Sequence, residues 1–400
     1  MINDKDHSTT FYRDDFSGPI ERLTGLPNIA YSSLDFAKFE RDEVLVKTWF
    51  CIANTAELQQ DGWVHPVDVA GLPLLVVRDR ESNIRVFHNV CSHRGMKLVE
   101  KPHQTNGIIT CPYHGWCYHA AGHLSATPHI KGEGVHEDKR FDKSLHGLKP
   151  VRSHIFTGMI FVNISGDAPE FDEFIKPVTD FWSDINFDNF SHGGANSSWC
   201  INLKSNWKLA QENHVDGYHL PFVHPGLNSY SPLGIHYPLI IKGSASGQGS
   251  SAQEHSSAIG SEQLPKDPSM GEDWQKGKAE FLSIFPNVMI GVHADHIWTV
   301  YLLPNAPNET TERMDLNYFG NGATDPRFQE LQTNNRERML EIFEEDRDMV
   351  EGMQRGRLSP AFDGGALAPE MDGPAHCFNQ IAANSFVDAI DRRNGKLDKI

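Results

Sequence analysis

The stretch Phe87–Leu98, FHNVCSHRGMKL, and its echo Thr110–Tyr118, TCPYHGWCY, decide how this 400-residue chain is built. The first supplies Cys91-x-His93 and the second Cys111-x-x-His114. Two loops that each offer one thiolate and one imidazole meet the need of a [2Fe–2S] cluster held by two Cys on one iron and two His on the other. Neutral imidazoles in place of two thiolates raise the reduction potential, so such a cluster accepts electrons readily. Gly95 and Gly115 follow the ligand pairs and are expected to let backbone N–H groups approach the bridging sulfides, with Trp116 as a cover. Structural zinc also takes two Cys and two His, but its sites keep like ligands together, whereas each loop here mixes them. Cys51, Cys117, Cys200 and Cys377 have no such company and read as buried free thiols.

Outward from these loops lie short β-type runs, LPLLVVRD, IRVFHNV, GIITCPY and TGMIFVNI, each bounded by Gly, Asn, Asp or Pro. They define an all-β unit over residues 45–165. Residues 1–44 form a lead-in expected to pack on the C-terminal domain, with Phe36, Phe39, Val44, Leu45 and Trp49 along one helix face. Residues 166–400 mix helical stretches (FDEFIKPVTDFWSDI, KLAQENHVDGYHL, ERMLEIFEEDRDMVEGMQRG) with strands (SWCINLK, EFLSIFPNVMIGV, HIWTVYLLP, RMDLNYFG). The fold class is α+β, with an antiparallel sheet in the larger domain. The Ser/Gly/Gln-rich stretch from Gly243 to Met270 has a composition that builds no core and is expected on the surface.

The segment NWKLAQENHVDGYHLPFVHPG places His219 and His224 five positions apart with Pro221 between them. A helix ending near His219, followed by a turn delivering His224, lets both imidazoles converge on one metal. Asp216, three residues before His219, is in reach of that ring. Two His need a carboxylate to complete the facial triad of a non-haem iron site. In RMLEIFEEDRDMVEGMQRG, the apolar residues Met339, Ile342, Phe343, Met349, Val350 and Met353 form a stripe centred on Asp346. An acid on an apolar stripe is costly unless paired or metal-bound, so Asp346 is the candidate ligand. Glu341, Glu344, Glu345, Asp348 and Glu351 project sideways or outward, as a solvated face.

Composition narrows the function classes. A formal charge of −17 repels a phosphate backbone, which speaks against nucleic acid and leaves a basic partner easier to accommodate. No run approaches the ~18 apolar residues of a membrane span, and the N-terminus is acidic where an export signal would be basic then apolar; a cytoplasmic protein is expected. No GxGxxG follows a strand, so the chain binds no dinucleotide itself.

With these two constellations in this order, the chain resembles the α subunit of the Rieske non-haem iron aromatic-ring-hydroxylating oxygenases from about residue 40 onward. The pattern Asn213-x2-Asp216-x2-His219-x4-His224, then Glu345-Asp346-x4-Glu351, matches that family's catalytic half. The resemblance implies an all-β Rieske domain beside a helix-grip, START-like catalytic domain, in a head-to-tail homotrimer. It implies Cys91, His93, Cys111 and His114 on a [2Fe–2S] cluster and His219, His224 and Asp346 on Fe(II). It makes Asp216 the inter-subunit electron bridge, with Asn213 behind the iron ligands. Electrons come from NAD(P)H only through a separate ferredoxin or reductase. The C-terminal half is more similar to the choline monooxygenase, glycine betaine and stachydrine demethylase branch, which implies O2-dependent hydroxylation next to an N-methyl group. A cation of that kind is held by aromatic faces, with Phe285, Trp298 and Tyr301 as candidates. The alternatives are a dioxygenase forming a cis-diol on an arene, and an electron-transfer protein with a vestigial second site.

Overall fold

The structure, a computed structural model, describes residues 11–253 and 263–395. The chain divides into two units, Phe50–Ala168 and Met1–Trp49 with Pro169–Ile400. In the smaller unit the apolar run Leu72–Arg78 forms a strand buried continuously over Leu74–Val77, one of ten short strands. They are β1 (Phe50–Asn54), β2 (Trp63–Val69), β3 (Leu72–Arg78), β4 (Ile84–His88), β5 (His103–Gln104), β6 (Ile108–Thr110), β7 (Cys117–His119), β8 (Leu124–Ala126), β9 (Arg152–Phe156) and β10 (Met159–Asn163). They make three antiparallel sheets, ordered β4-β3-β2-β5, β6-β7-β8 and β1-β10-β9. One apolar cluster, with Val64, Leu75, Val77, Phe87, Trp116 and Tyr118, encloses Cys91 and Cys111. The two loops thus hang from a packed frame that holds their sulfur ends inside.

The larger unit begins with α1 (Ile29–Ser32), α2 (Leu34–Glu43) and α3 (Phe171–Phe181). The predicted helical face Phe36–Trp49 is interrupted: α2 stops at Glu43, and Leu45–Lys47 form a tight turn. An antiparallel sheet of eight strands follows: β11 (Phe190–His192), β12 (Ser198–Leu203), β13 (His236–Ile241), β14 (Ala245–Ser250), β15 (Ala279–Ile284), β16 (Val288–Val292), β17 (His296–Ala306) and β18 (Glu309–Phe319). Its order is β11-β18-β17-β16-β15-β14-β13, with β12 also on β18. Helices α4 (Trp207–Val215), α5 (Leu220–Val223), α6 (Pro225–Tyr230), α7 (Glu272–Gln275), α8 (Gln329–Gly356) and α9 (Gly373–Arg393) complete it. Among the described residues no helix is long and apolar enough to cross a membrane.

The stretch Gly243–Met270 corrects the surface expectation. Its first part is β14, paired on both edges, with Ala245, Ser246, Gly247 and Ser250 buried. Small residues stand there because larger ones do not fit. A Cβ on Gly247 would lie 1.8 Å from the Phe281 carbonyl oxygen, and one on Gly249 2.3 Å from the Tyr237 ring. Leu264 and Met270 are buried as well; residues 254–262 lie outside the described residues.

A buried polar network ties the lead-in to α4. The Lys208 ammonium, fully buried, lies 2.7 Å from Glu40 of α2, and the Trp207 indole N–H donates to the same carboxylate at 3.2 Å. The Tyr31 hydroxyl donates to Glu212, whose other oxygen faces the Arg357 guanidinium at 3.6 Å. Burial pushes the Lys208 pKa down despite the Glu40 charge.

Candidate metal centres and substrate pocket

In the smaller unit the two ligand loops have the same internal wiring. Cys91 N–H donates to Met96 O and Cys111 N–H to Trp116 O, both at 2.8 Å. Gly95 N–H donates to Cys91 O and Gly115 N–H to Cys111 O, both at 3.0 Å. The glycine role therefore differs from the expectation: their N–H groups close the loops and do not point to a cluster. What demands glycine is the left-handed backbone, with φ of 74° and 71°. Both cysteines are buried and unpaired as disulfides, while His93 is exposed and its ring centroid lies 4.7 Å from that of His114. Trp116, 6% exposed, stacks on His93. Two thiols inside and two imidazoles outside make an asymmetric four-donor set that suits two irons with unlike ligands. Tyr118, absent from the sequence reading, holds its hydroxyl 3.1 Å from Cys91 Sγ and accepts from Ser92 N–H at 3.0 Å. Burial and the neighbouring thiol push its phenol up to about 12, so it is a donor at neutral pH.

In the larger unit, α4 is started by the Asn206 side chain, which accepts from Lys208 N–H, and ends at Asp216 in extended backbone. The helix stops four residues earlier than the sequence suggests. Its open carbonyls on His214 and Asp216 face the Gln248 amide at 3.4 Å. Gly217 allows that approach, because a Cβ there would meet Gln248 Oε1 at 2.6 Å. One turn of helix, α5, then separates His219 from His224, with Pro221 in its first turn.

The two rings meet Asp346 from α8. His224 Nε2 lies 2.9 Å and His219 Nε2 3.6 Å from Asp346 Oδ1. Each ring is held from behind by another acid: His219 Nδ1 is 3.2 Å from Asp216 Oδ2, and His224 Nδ1 is 2.7 Å from Glu345 Oε2. With Nδ1–H donated backwards, both Nε2 lone pairs face the carboxylate oxygen. Three acceptors converging within 4.8 Å repel one another unless a cation sits between them, so the donor set fits a divalent metal with open positions. Glu345 corrects the helix projection, which leaves it on a solvated face. Met349 and Met353 are 45% and 38% exposed, so the inner stripe is narrower than read. Glu351 is also engaged, accepting from Lys204 N–H at 3.0 Å.

A pocket opens beside this triad, walled by Phe281, Trp298, Phe343, Met289 and Met339 and lined also by Asn213, His214, Tyr230, Glu312 and Arg338. Of the three aromatic candidates only Trp298 lines it. Tyr301 is three residues further along β17, and period-two alternation turns it to the opposite face. Phe285 packs between Trp207 and Phe378. The Trp298 ring meets the edges of His214 and Phe343 and stacks on Phe281 at 5.8 Å. Burial pushes His214 down to about 4, which keeps it a neutral imidazole. Burial, then the charge of Asp346, pushes Glu312 up to about 8. Phe343 sits on the predicted stripe; Phe281, His214, Glu312, Tyr230 and Arg338 carry no motif and depend on long-range packing.

Residues 48–142 match the Rieske [2Fe-2S] domain, and residues 189–385 match the ring hydroxylating alpha subunit catalytic domain. The chain accordingly carries a Rieske [2Fe–2S] domain and the catalytic domain of the mononuclear iron oxygenases. The glycine betaine monooxygenase oxygenase subunit of Chromohalobacter salexigens is 32% identical over 202 residues, 50% of this chain and 43% of the relative. The chloroplastic choline monooxygenase of Arabidopsis thaliana is 26% identical over 375 residues, 90% and 82% of the two chains. The chain spans about half the length of the glycine betaine and carnitine monooxygenase subunits it matches. A solved structure of the quaternary ammonium Rieske monooxygenase CntA with its substrate L-carnitine superposes with a TM-score of 0.74 at 20% identity, covering 94% of this chain and 99% of that one. At that identity the likeness establishes the fold.

Proposed function

A chain that joins a Rieske [2Fe–2S] domain to the catalytic domain of a ring-hydroxylating alpha subunit belongs to the Rieske non-haem iron oxygenases, and from that premise we propose that it oxidises an N-methyl group of a small quaternary ammonium compound. The observation that carries this reading is Trp298, flanked by Phe281 and Phe343 in the pocket that also holds His219, His224 and Asp346. Such π faces attract a methylated ammonium by about 0.5–2 kcal/mol each. The names of the glycine betaine and choline relatives point the same way.

In this proposal Cys91, Cys111, His93 and His114 hold the cluster, and His219, His224 and Asp346 hold the iron. Bound there, the iron supplies dioxygen activation with electrons delivered through the cluster. The chain's own residues do the rest. Asp216 and Glu345 fix the tautomer and orientation of the two iron-binding rings. Asn213 lines the pocket. The aromatic wall excludes water and turns an N-methyl group towards the triad.

We further propose a cytoplasmic head-to-tail homotrimer served by a separate NAD(P)H-dependent reductase, in which Asp216 links the cluster of one subunit to the iron of the next. Normal turnover of Asp216→Asn with both metals in place refutes that link. A vestigial second site fits poorly with three ligands and two backing acids all in register.

The test is coupled O2 and NADH consumption with a broad-specificity reductase, across methylamines, betaines and aromatic acids. Formaldehyde from an N-methyl cation is expected. A cis-diol from an aromatic acid, with no formaldehyde from any amine, overturns the reading in favour of ring dihydroxylation.

A further inference from the structure

The pocket contains a buried acid that the packing of the sheet does not call for. Glu312 stands on β18 directly opposite Ile201 of β12 and Leu302 of β17, and residues paired across an antiparallel ladder share a face. Alternation puts Met314, Val300 and Trp298 on that same face, which walls the pocket beside the triad. Apart from Glu312, these positions are apolar and buried. Glu312 is itself only 4% exposed, yet among the described residues its carboxyl makes no hydrogen bond and no ion pair. Arg347 acts on it through charge alone, because that guanidinium is clamped by Glu344 at 2.7 and 2.6 Å and donates to Asn202 O at 3.1 Å. Arg338, the other cation lining the pocket, stands over the Tyr230 ring.

A carboxyl on an apolar sheet face is costly without a partner, and Leu or Met would fill the same space at no such cost. The missing partner is a cation that enters the pocket. Burial, then the charge of Asp346, holds the Glu312 carboxyl at about 8, and an incoming cation opposes both causes and favours the ionised form. We infer that Glu312 is the cation-recognising residue of the pocket, selecting a positively charged N-methyl head over an uncharged group of the same shape. This rests on the reading of the site as an N-methyl oxidase and deepens it. Trp298, Phe281 and Phe343 give apolar contact to methyl groups on nitrogen or on carbon alike, with a modest extra attraction for the cation. Glu312 adds a full opposite charge in a setting that excludes water, where it discriminates most strongly.

The experiment compares choline and glycine betaine with their isosteres in which a tert-butyl group replaces the trimethylammonium. Calorimetric binding to the metal-loaded oxygenase is measured alongside formaldehyde release with reductase. The native enzyme is expected to bind each ammonium compound at least about tenfold more tightly than its isostere. Glu312→Gln is expected to reduce that preference about tenfold for both pairs, by weakening the cations and not the isosteres, with iron and cluster content unchanged. Glu312→Leu is expected to reduce it as much and to raise the unfolding midpoint, since it removes a buried acid; a carboxyl kept for structure alone would lower the midpoint and leave the preference as it was. If Glu312→Gln fails to fold, the preference in Glu312→Leu decides. An unchanged preference, with formaldehyde still released, overturns the role of Glu312 and leaves the N-methyl reading standing. A reduced preference without formaldehyde from either ammonium compound supports the role and sinks the N-methyl reading. No binding of either ammonium compound by the native enzyme overturns both.

Discussion

Glu345 and His224 are joined at 2.7 Å through Oε2 and Nδ1, and the residue next to Glu345 on the same helix, Asp346, faces the other nitrogen of that ring at 2.9 Å. One turn of α8 therefore both orients the imidazole and supplies the proposed third ligand. A carboxylate behind a ligating His fixes its tautomer and raises its basicity. Glu345→Ala is expected to lower iron affinity about 10- to 100-fold while leaving the visible spectrum of the cluster unchanged. Glu345→Gln, whose amide oxygen still accepts from Nδ1–H, loses less. Iron content after dialysis against a chelator reads both; full retention in the alanine variant contradicts the role.

Tyr118 stands at the other proposed metal centre. Its hydroxyl lies 3.1 Å from Cys91 Sγ and 3.0 Å from Ser92 N, and a donor to a ligand sulfur stabilises the reduced, more negative cluster. Tyr118→Phe removes one hydrogen bond of about 1 kcal/mol, which for a one-electron couple corresponds to a fall of about 40 mV in midpoint potential. A redox titration followed by absorbance measures it, and an unchanged potential rules the contact out as a tuning element.

The buried pair of Lys208 and Glu40 holds the lead-in to α4. Removing one member strands the other charge in the core, which costs about 3–5 kcal/mol, whereas removing both and filling the volume restores much of the loss. Lys208→Met alone should lower the unfolding midpoint strongly, and Lys208→Met with Glu40→Leu should recover most of it. A double variant less stable than Lys208→Met would show that the pair anchors more than itself.

These sites differ in how far the sequence reveals them. Cys91, His93, Cys111 and His114 are legible because each ligand pair sits within one loop and its spacing is the signal. Asp346 is legible because a helix has a period, and the apolar stripe around it points inward. Glu345 is not, since its meaning depends on His224 arriving from a different segment, which no helical projection contains. Gly247 and Gly249 are misleading for a related reason: small polar residues signal a loop in isolation, yet here they are what a crowded strand between β13 and β15 accepts. Phe285 and Tyr301 show the opposite error, where residue type alone stands in for facing; alternation along β17 separates Tyr301 from Trp298.

Gly291 links that crowding to specificity. It pairs with Trp298 across β16 and β17, and the indole folds back over it so closely that a Cβ would lie 2.1 Å from Cε2 and 2.3 Å from Nε1. A rigid ring cannot yield by a rotamer tip, so Gly291→Ala must swing Trp298 away from Phe281, Phe343 and His214. Overpacking of this kind costs about 1–3 kcal/mol of stability, a drop of several degrees in the unfolding midpoint. The functional consequence is larger for binding than for metal loading. The loss of one well-placed aromatic face, about 1–2 kcal/mol, should raise KM for the proposed ammonium substrate about tenfold, with iron and cluster content unchanged. Parallel iron analysis and steady-state kinetics separate the two effects. An unaltered KM in a folded Gly291→Ala enzyme would remove Trp298 from the list of substrate contacts.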